Sequence, residues 1–409
     1  MNRIEKLLQK LCPEGVEFKA LGELTIWDKK FKEVENQTKI IKFKHISAAA
    51  LKSLKCKNGT IKLLSTGNFD GFTTQDLSKD FINDDEVISL PSGGVANIKY
   101  HKGKFVDSGN LLAVSADTKT IDLKFIYYFL ISKREVIESF YRGAGVKHPS
   151  MREIFKLKIP LPPLEIQKEI VLILDAFTEL QAELQAELQA RQKQYEHYRE
   201  RLLSFDELVS RSGGGGFVKM MSLGEVAFYP KDRILADFLH AQNYVGVENL
   251  LPNKQGKINS SSVPKSGNSI HYKQGDCLIG NIRPYLKKIW LADNNGGTNG
   301  DVLLIRTKNE FVDKIQNKFL YYVLASDSFF AYHDSNARGA KMPRGDKSAV
   351  LKFQIPIPPL KVQNEVVEIL DKFDALVNDI SQGLPAEITA RKKQYEFYRE
   401  KLLSFKEKA

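Results

Sequence analysis

The stretch PLPPLEIQKEIVLILDAFTEL at residues 160–180 returns as PIPPLKVQNEVVEILDKFDAL at 356–376, and QYEHYRERLLSF at 194–205 returns as QYEFYREKLLSF at 394–405. Ten of twelve positions are identical in the second pair. The offsets, 196 and 200 residues, make the second copy four residues longer between the two motifs. Fainter echoes reach outward from these anchors: LGEL at 21 and LGEV at 223, FIYYFLIS at 125 and FLYYVLAS at 319, Arg142-Gly143-Ala144 and Arg338-Gly339-Ala340. Self-similarity over this span marks the whole chain as a duplication.

Both anchors read as long helices. Ile166, Ile170, Leu174, Phe177, Leu180, Leu184 and Leu188 recur every three or four residues, with Tyr195 and Leu202 prolonging the stripe among Glu, Gln, Lys and Arg. Pro162 and Pro163 stand just ahead of the pattern, where proline is tolerated. The second copy repeats the stripe with Val362, Val366, Ile369, Phe373, Leu376 and Ile380. Gly383 and Pro385 then break it before it resumes toward Tyr395 and Leu402. Each stripe is narrow for a helix buried on its own, and pairing the two as a coiled coil satisfies both. Inside the first helix, TELQ, AELQ and AELQ at 178–189 form a tetrapeptide array. Each unit adds about 6 Å and about 400° of rotation, so the array can change length with its apolar face nearly aligned.

The charge follows the same division. The 409 residues carry a formal +11, with 42% hydrophobic and 27% charged side chains, a soluble globular profile. Residues 160–205 are net −3 and residues 356–405 net −1, while residues 1–159 carry +8 and 206–355 carry +6. Two basic blocks therefore alternate with two faintly acidic helices, and a concentrated basic excess implies a polyanionic partner. Within the blocks, runs such as IKLLSTG at 61–67, DEVISLP at 85–91, NLLAVSA at 110–116, DCLIGNI at 276–282 and DVLLIRT at 301–307 predict strands. FIYYFLIS and FLYYVLAS predict short helices, and each block reads as an α+β domain.

Catalytic signatures are missing. There is no GxxxxGK[ST] phosphate loop, no dinucleotide fingerprint and no aminomethyltransferase tetrapeptide. Cys12, Cys56 and Cys277 have no ligand spacing, so no metal site and no catalytic residue is expected. The N-terminus has charges within its apolar stretch, and no run approaches a membrane span, so a cytoplasmic protein without a membrane partner is expected. What remains suits nucleic acid. Asn97, Lys99, Tyr100 and Lys102 follow Ser92-Gly93-Gly94, and Arg283, Tyr285, Lys287 and Lys288 follow Gly280 in the corresponding place. A second loop pair supplies Arg142 and Lys147 in one copy, and Arg338, Lys341 and Arg344 in the other. Arginine addresses guanine bidentately and lysine meets phosphates, so these thirteen residues are the candidate DNA contacts.

Together the paired PPLE/PPLK helices, the paired QYE motifs and the tetrapeptide array resemble the specificity subunit of type I restriction-modification systems, HsdS, with the array of its IC subfamily. The resemblance covers essentially the whole chain. It implies two target-recognition domains, 1–159 and 217–355, a central helical spacer at 160–205, a linker at 206–216 and a C-terminal helical spacer at 356–409. The spacers pack as an antiparallel coiled coil in a pseudo-two-fold body. Each domain is expected to read half of a bipartite, asymmetric double-stranded DNA target. By the same resemblance two methyltransferase subunits (HsdM) dock on the helices, with Leu180, Leu184, Leu188, Tyr195, Tyr198, Tyr395 and Tyr398 as candidate spacer and docking positions. Translocase and nuclease subunits (HsdR) complete the complex. S-adenosylmethionine, ATP and Mg are expected on those partners and no cofactor on this chain. The alternative is a non-catalytic coiled-coil scaffold whose basic domains bind RNA or another polyanion.

Overall fold

The structure is a computed structural model that describes residues 3–32, 34, 37–213, 218–379 and 381–408. It divides into two compact units, one formed by residues 1–183 with 389–409 and the other by residues 184–388.

In the first unit a six-stranded sheet runs in the order Thr25–Trp27, Asn110–Ser115, Asn83–Pro91, Lys99–Asp107, Ile61–Leu64, Phe72–Thr73. All neighbours are antiparallel except Ile61–Leu64, which lies parallel to Lys99–Asp107. The expected runs at 61, 85 and 110 thus form strands, and FIYYFLIS falls in the helix Leu123–Ser132, capped by Asp122. A separate antiparallel pair, Glu17–Ala20 with Lys158–Leu161, closes the domain and delivers the chain through Pro162 and Pro163 into the helix Leu164–Leu202.

The second unit repeats the closing strand pair and the entry into a helix, but not the single large sheet. Lys219–Ser222 pairs with Gln354–Ile357, and the chain passes through Pro358 and Pro359 into the helix Leu360–Asn378. Its domain carries two four-stranded sheets. One is ordered Ala227–Phe228, Val302–Thr307, Cys277–Gly280, Ile289–Leu291, and the other Arg233–Leu235, Asn268–Tyr272, Gly296–Thr298, Tyr244–Val245. FLYYVLAS lies largely in the helix Asn317–Leu324. The α+β duplication expected from sequence is present.

The stripe residues divide into two roles. Ile166, Ile170 and Leu174 are fully buried in the core of the first unit with Leu21, Phe125 and Ile159, each contributing about 2 kcal/mol. Val362, Val366 and Leu370 do the same in the second with Leu223, Phe319 and Ile355. The helix starts are therefore more buried than a coiled-coil seam requires, because each domain covers its own first turns. Leu180, Leu184 and Leu188 remain half-buried.

The helix partners exchange between repeats. In the first unit Phe177 lies 6.2 Å from the Tyr395 ring and stacks on Tyr398 at 5.6 Å. In the second unit Phe373 stacks on Tyr195 at 6.3 Å and on Tyr198 at 5.4 Å. The contact order along the two chain segments is reversed, 177 with 395 and 398, then 195 and 198 with 373, as an antiparallel pair requires. The break expected at Gly383 is real, since one helix ends at Asn378 and the next, Leu384–Leu402, begins after it. Ile380 lies outside the described residues.

One boundary differs from expectation. The stretch 206–216 opens not as linker but within the helix Phe205–Arg211, whose first turn Ser204 caps and whose Leu208 is fully buried. Residues 214–217, which include the rest of the glycine run and the expected start of the second domain, lie outside the described residues.

Candidate nucleic-acid interface

In the first unit a short hairpin pairs Tyr141 with Pro149 and Arg142 with His148. Gly143, at φ 146°, turns the chain where a side chain is strained. The loop joining strands Asn83–Pro91 and Lys99–Asp107 leans on this hairpin. Gly94 N–H donates to the Lys147 carbonyl at 2.8 Å, and His148 Nδ1 donates to the Ser92 carbonyl at 2.7 Å. Tyr141 anchors the base, buried with its hydroxyl on the Pro91 carbonyl at 3.0 Å.

The second unit has the same construction from different residues. Arg338 and Arg344 form a backbone bridge, as do Ile282 and Arg344. Arg283 N–H donates to the Pro343 carbonyl at 2.8 Å, and Gly345 N–H to the Asn281 carbonyl at 3.0 Å. Counting from the arginine that opens each hairpin, Lys147 and Pro343 hold the same position. The residues that grip them, Gly94 and Arg283, both have positive φ, 99° and 54°. For arginine that backbone costs about 1 kcal/mol, held in place by the surrounding bonds.

The structure therefore brings together loop pairs that were separate in sequence: 92–98 with 142–148, and 281–286 with 338–345. Arg142, Lys147 and Lys341 are exposed. Arg338 keeps 87% of its side chain in solvent, 3.7 Å from Asp346, and Arg344 keeps 62%, 3.1 Å from Asp301. Tyr285, two residues after Arg283, is exposed as well.

Other candidates are committed elsewhere. Lys99 Nζ donates to the carbonyls of Ser65 and Gly67 at 2.6 and 2.7 Å, and burial lowers its pKa. Asn97 Nδ2 reaches the same Gly67 carbonyl at 2.9 Å. Tyr100 donates to Glu86 at 2.7 Å, and Lys102 pairs with that carboxylate at 3.3 Å. Lys287 shares Asp327 with Lys254, at 2.8 and 2.6 Å. Burial opposes ionisation of Asp327, but the two lysines outweigh it and hold its pKa at about 2. Lys288 Nζ donates to the Val247 carbonyl at 2.7 Å. Lys99, Lys287 and Lys288 position loops more than they present free charge, whereas Lys102 keeps 70% of its side chain in solvent.

The most regular polar feature joins each domain to its helix, and the sequence reading did not single it out. Gln167, fully buried, accepts from Asp122 N–H at 2.8 Å and donates to the carbonyls of Thr120 and Pro162 at 2.9 and 2.7 Å. Gln363 repeats all three bonds with Gln316 N–H, Lys314 and Pro358, at 2.9, 2.8 and 2.8 Å. Eight residues on, Asp175 receives Lys124 and Tyr128, and Asp371 receives Lys318 and Tyr322. The signal was available, since Gln and Asp recur unchanged at this spacing in both quoted repeats.

Among the described residues, no group of three or more potential metal ligands clusters and no helix is long and apolar enough to cross a membrane. The family model described as the type I restriction modification DNA specificity domain matches twice, at residues 29–191 and 218–390. A putative type I restriction enzyme specificity subunit of Haemophilus influenzae is 32% identical over 355 residues, 81% of this chain and 86% of that protein. The specificity subunit of an Escherichia coli type I restriction enzyme is 31% identical, covering 71% and 72%. Among solved structures, the type I restriction-modification S subunit from M. genitalium superposes with TM-score 0.57 at 17% identity, covering 95% of this chain and 96% of that one. A chain from a study of type I complex assembly and conformational transition gives 0.55 at 16%, covering 96% and 98%.

Proposed function

Because the chain belongs to the type I restriction-modification DNA specificity family, we propose that it is the non-catalytic subunit that reads double-stranded DNA, each domain addressing one half of a bipartite, asymmetric target. The observation that carries this is the repeated hairpin-and-loop element: one backbone construction in both domains, clothed in different side chains and fringed with exposed arginine and lysine. A common scaffold with divergent surface is what reading two unlike half-sites requires. The scaffold alternative has no such support, since the family match covers both basic domains.

In this reading the helices dock two methyltransferase subunits, and further subunits supply translocation and cleavage. S-adenosylmethionine, ATP and Mg act on those partners, where a target adenine leaves the stack to be methylated. The tetrapeptide array, inside the helix Leu164–Leu202, sets the spacer between half-sites. Co-expression with the methyltransferase followed by methylation sequencing tests the reading. A bipartite motif is expected, and, as the family resemblance implies, deleting or adding one AELQ unit is expected to change its spacer by about one base pair while both half-sites persist. Methylation without a bipartite motif, altered half-sites or an unaltered spacer would refute it.

A further inference from the structure

Resting on the recognition role above, we propose that Val146 and Met342 are the apolar base-edge contacts of the two domains, each contacting thymine methyl groups from a hairpin tip whose cations hold the phosphates. The two residues occupy the same position, four after the arginine that opens each hairpin and one before the residue whose carbonyl is gripped. Val146 is 65% and Met342 53% exposed, so neither is apolar to fill a core. A single exposed apolar side chain is ordinary. The same register position kept apolar and exposed in two copies that otherwise diverge is not.

The tips are also held firmly, which an ordering contact needs. Each is braced through the backbone bond from Gly94 or Arg283, and a Cβ on Gly143 would stand 2.9 Å from the Val146 carbonyl oxygen, so the turn admits only glycine there. Arg142 and Lys147 flank Val146, while Lys341 and Arg344 flank Met342. Cations suit phosphate oxygens, and between them a short apolar side chain suits the one apolar feature of a base edge, the thymine 5-methyl in the major groove.

The test uses the full chain with its methyltransferase partner and duplexes bearing the mapped target. Val146→Asn and Met342→Gln replace apolar by polar side chains of similar size at exposed positions, so folding is expected to be unchanged in thermal unfolding. Each is expected to weaken target binding about fivefold, with the slope of log affinity against log salt unchanged. Arg142→Gln is expected instead to lower that slope by about one. Replacing thymine by deoxyuridine in one half-site is expected to weaken wild-type binding and to leave the matching variant indifferent. Wild-type affinity in both variants, equal binding of the deoxyuridine duplex, or loss of salt slope in Val146→Asn would overturn the inference. If one variant fails to fold, the other still decides. A wild-type complex that does not distinguish target from random duplex would refute the recognition reading itself, a result separable from all of these.

Discussion

Replacing Gln167 by leucine removes three hydrogen bonds while nearly preserving volume, and it leaves Asp122 N–H and the Thr120 and Pro162 carbonyls without the fully buried side chain that joins them. At about 1 kcal/mol net for each bond, the local cost is about 3 kcal/mol, the more so because the abandoned partners are backbone groups. At 1.4 kcal/mol per decade this is about a hundredfold increase in local opening. The bonds tie the turn before the helix Leu123–Ser132 to the entry of the helix Leu164–Leu202, so the loss is confined to that junction. Amide hydrogen exchange reads it directly. In Gln167→Leu, exchange at 120–124 is expected to accelerate about a hundredfold, with 314–318 unchanged, and Gln363→Leu is expected to show the converse. Acceleration below about threefold at the facing turn, or equal acceleration at both turns, would refute the assignment of these glutamines as the clamps between domain and helix.

Two further outcomes are expected. His45 bonds Asp107 at 2.7 Å and Asp28 at 3.1 Å, and these partners raise its pKa from 6.5 to about 9. The protonated form is therefore favoured by folding, so this stabilisation is complete below pH 6.5 and lost as pH rises through 9, on the order of 2 kcal/mol after solvent screening. The thermal midpoint is expected to fall across that window in the wild type and to fall less in His45→Gln, and parallel profiles would contradict it. At Gly345 any Cβ overlaps the buried ring of His333 and presses on Asn281 Oδ1 at 2.7 Å. Gly345→Ala is expected to displace the 281–286 and 338–345 loops at a cost of about 1–3 kcal/mol and to degrade one half of the methylation motif only. An intact motif would show that the loop pair is not a reading surface.

The duplication, both helix anchors, five strands and the division of charge were legible because each is a local property: a repeat, a period of 3.6 or 2, a count. The helix break at Gly383 was legible for the same reason. The helix Phe205–Arg211 was not, because its stability comes from Leu208 reaching a core assembled from distant residues.

By itself the sequence determined that two basic α+β domains alternate with two paired helices, and which residue types could meet DNA. Only the tertiary structure decided which of them are free to do so. Lys99, Lys287 and Lys341 are the same letter in basic, glycine-containing stretches, yet the first is held by the carbonyls of Ser65 and Gly67, the second by Asp327, and the third stands exposed beside Met342. The particular ring pairs, Phe177 with Tyr395 and Phe373 with Tyr195, were not legible either, although antiparallel packing of the helices was expected. The physical reason is that a side chain's availability depends on which acceptor or ring lies opposite it, and these partners are set by packing between segments far apart in the chain.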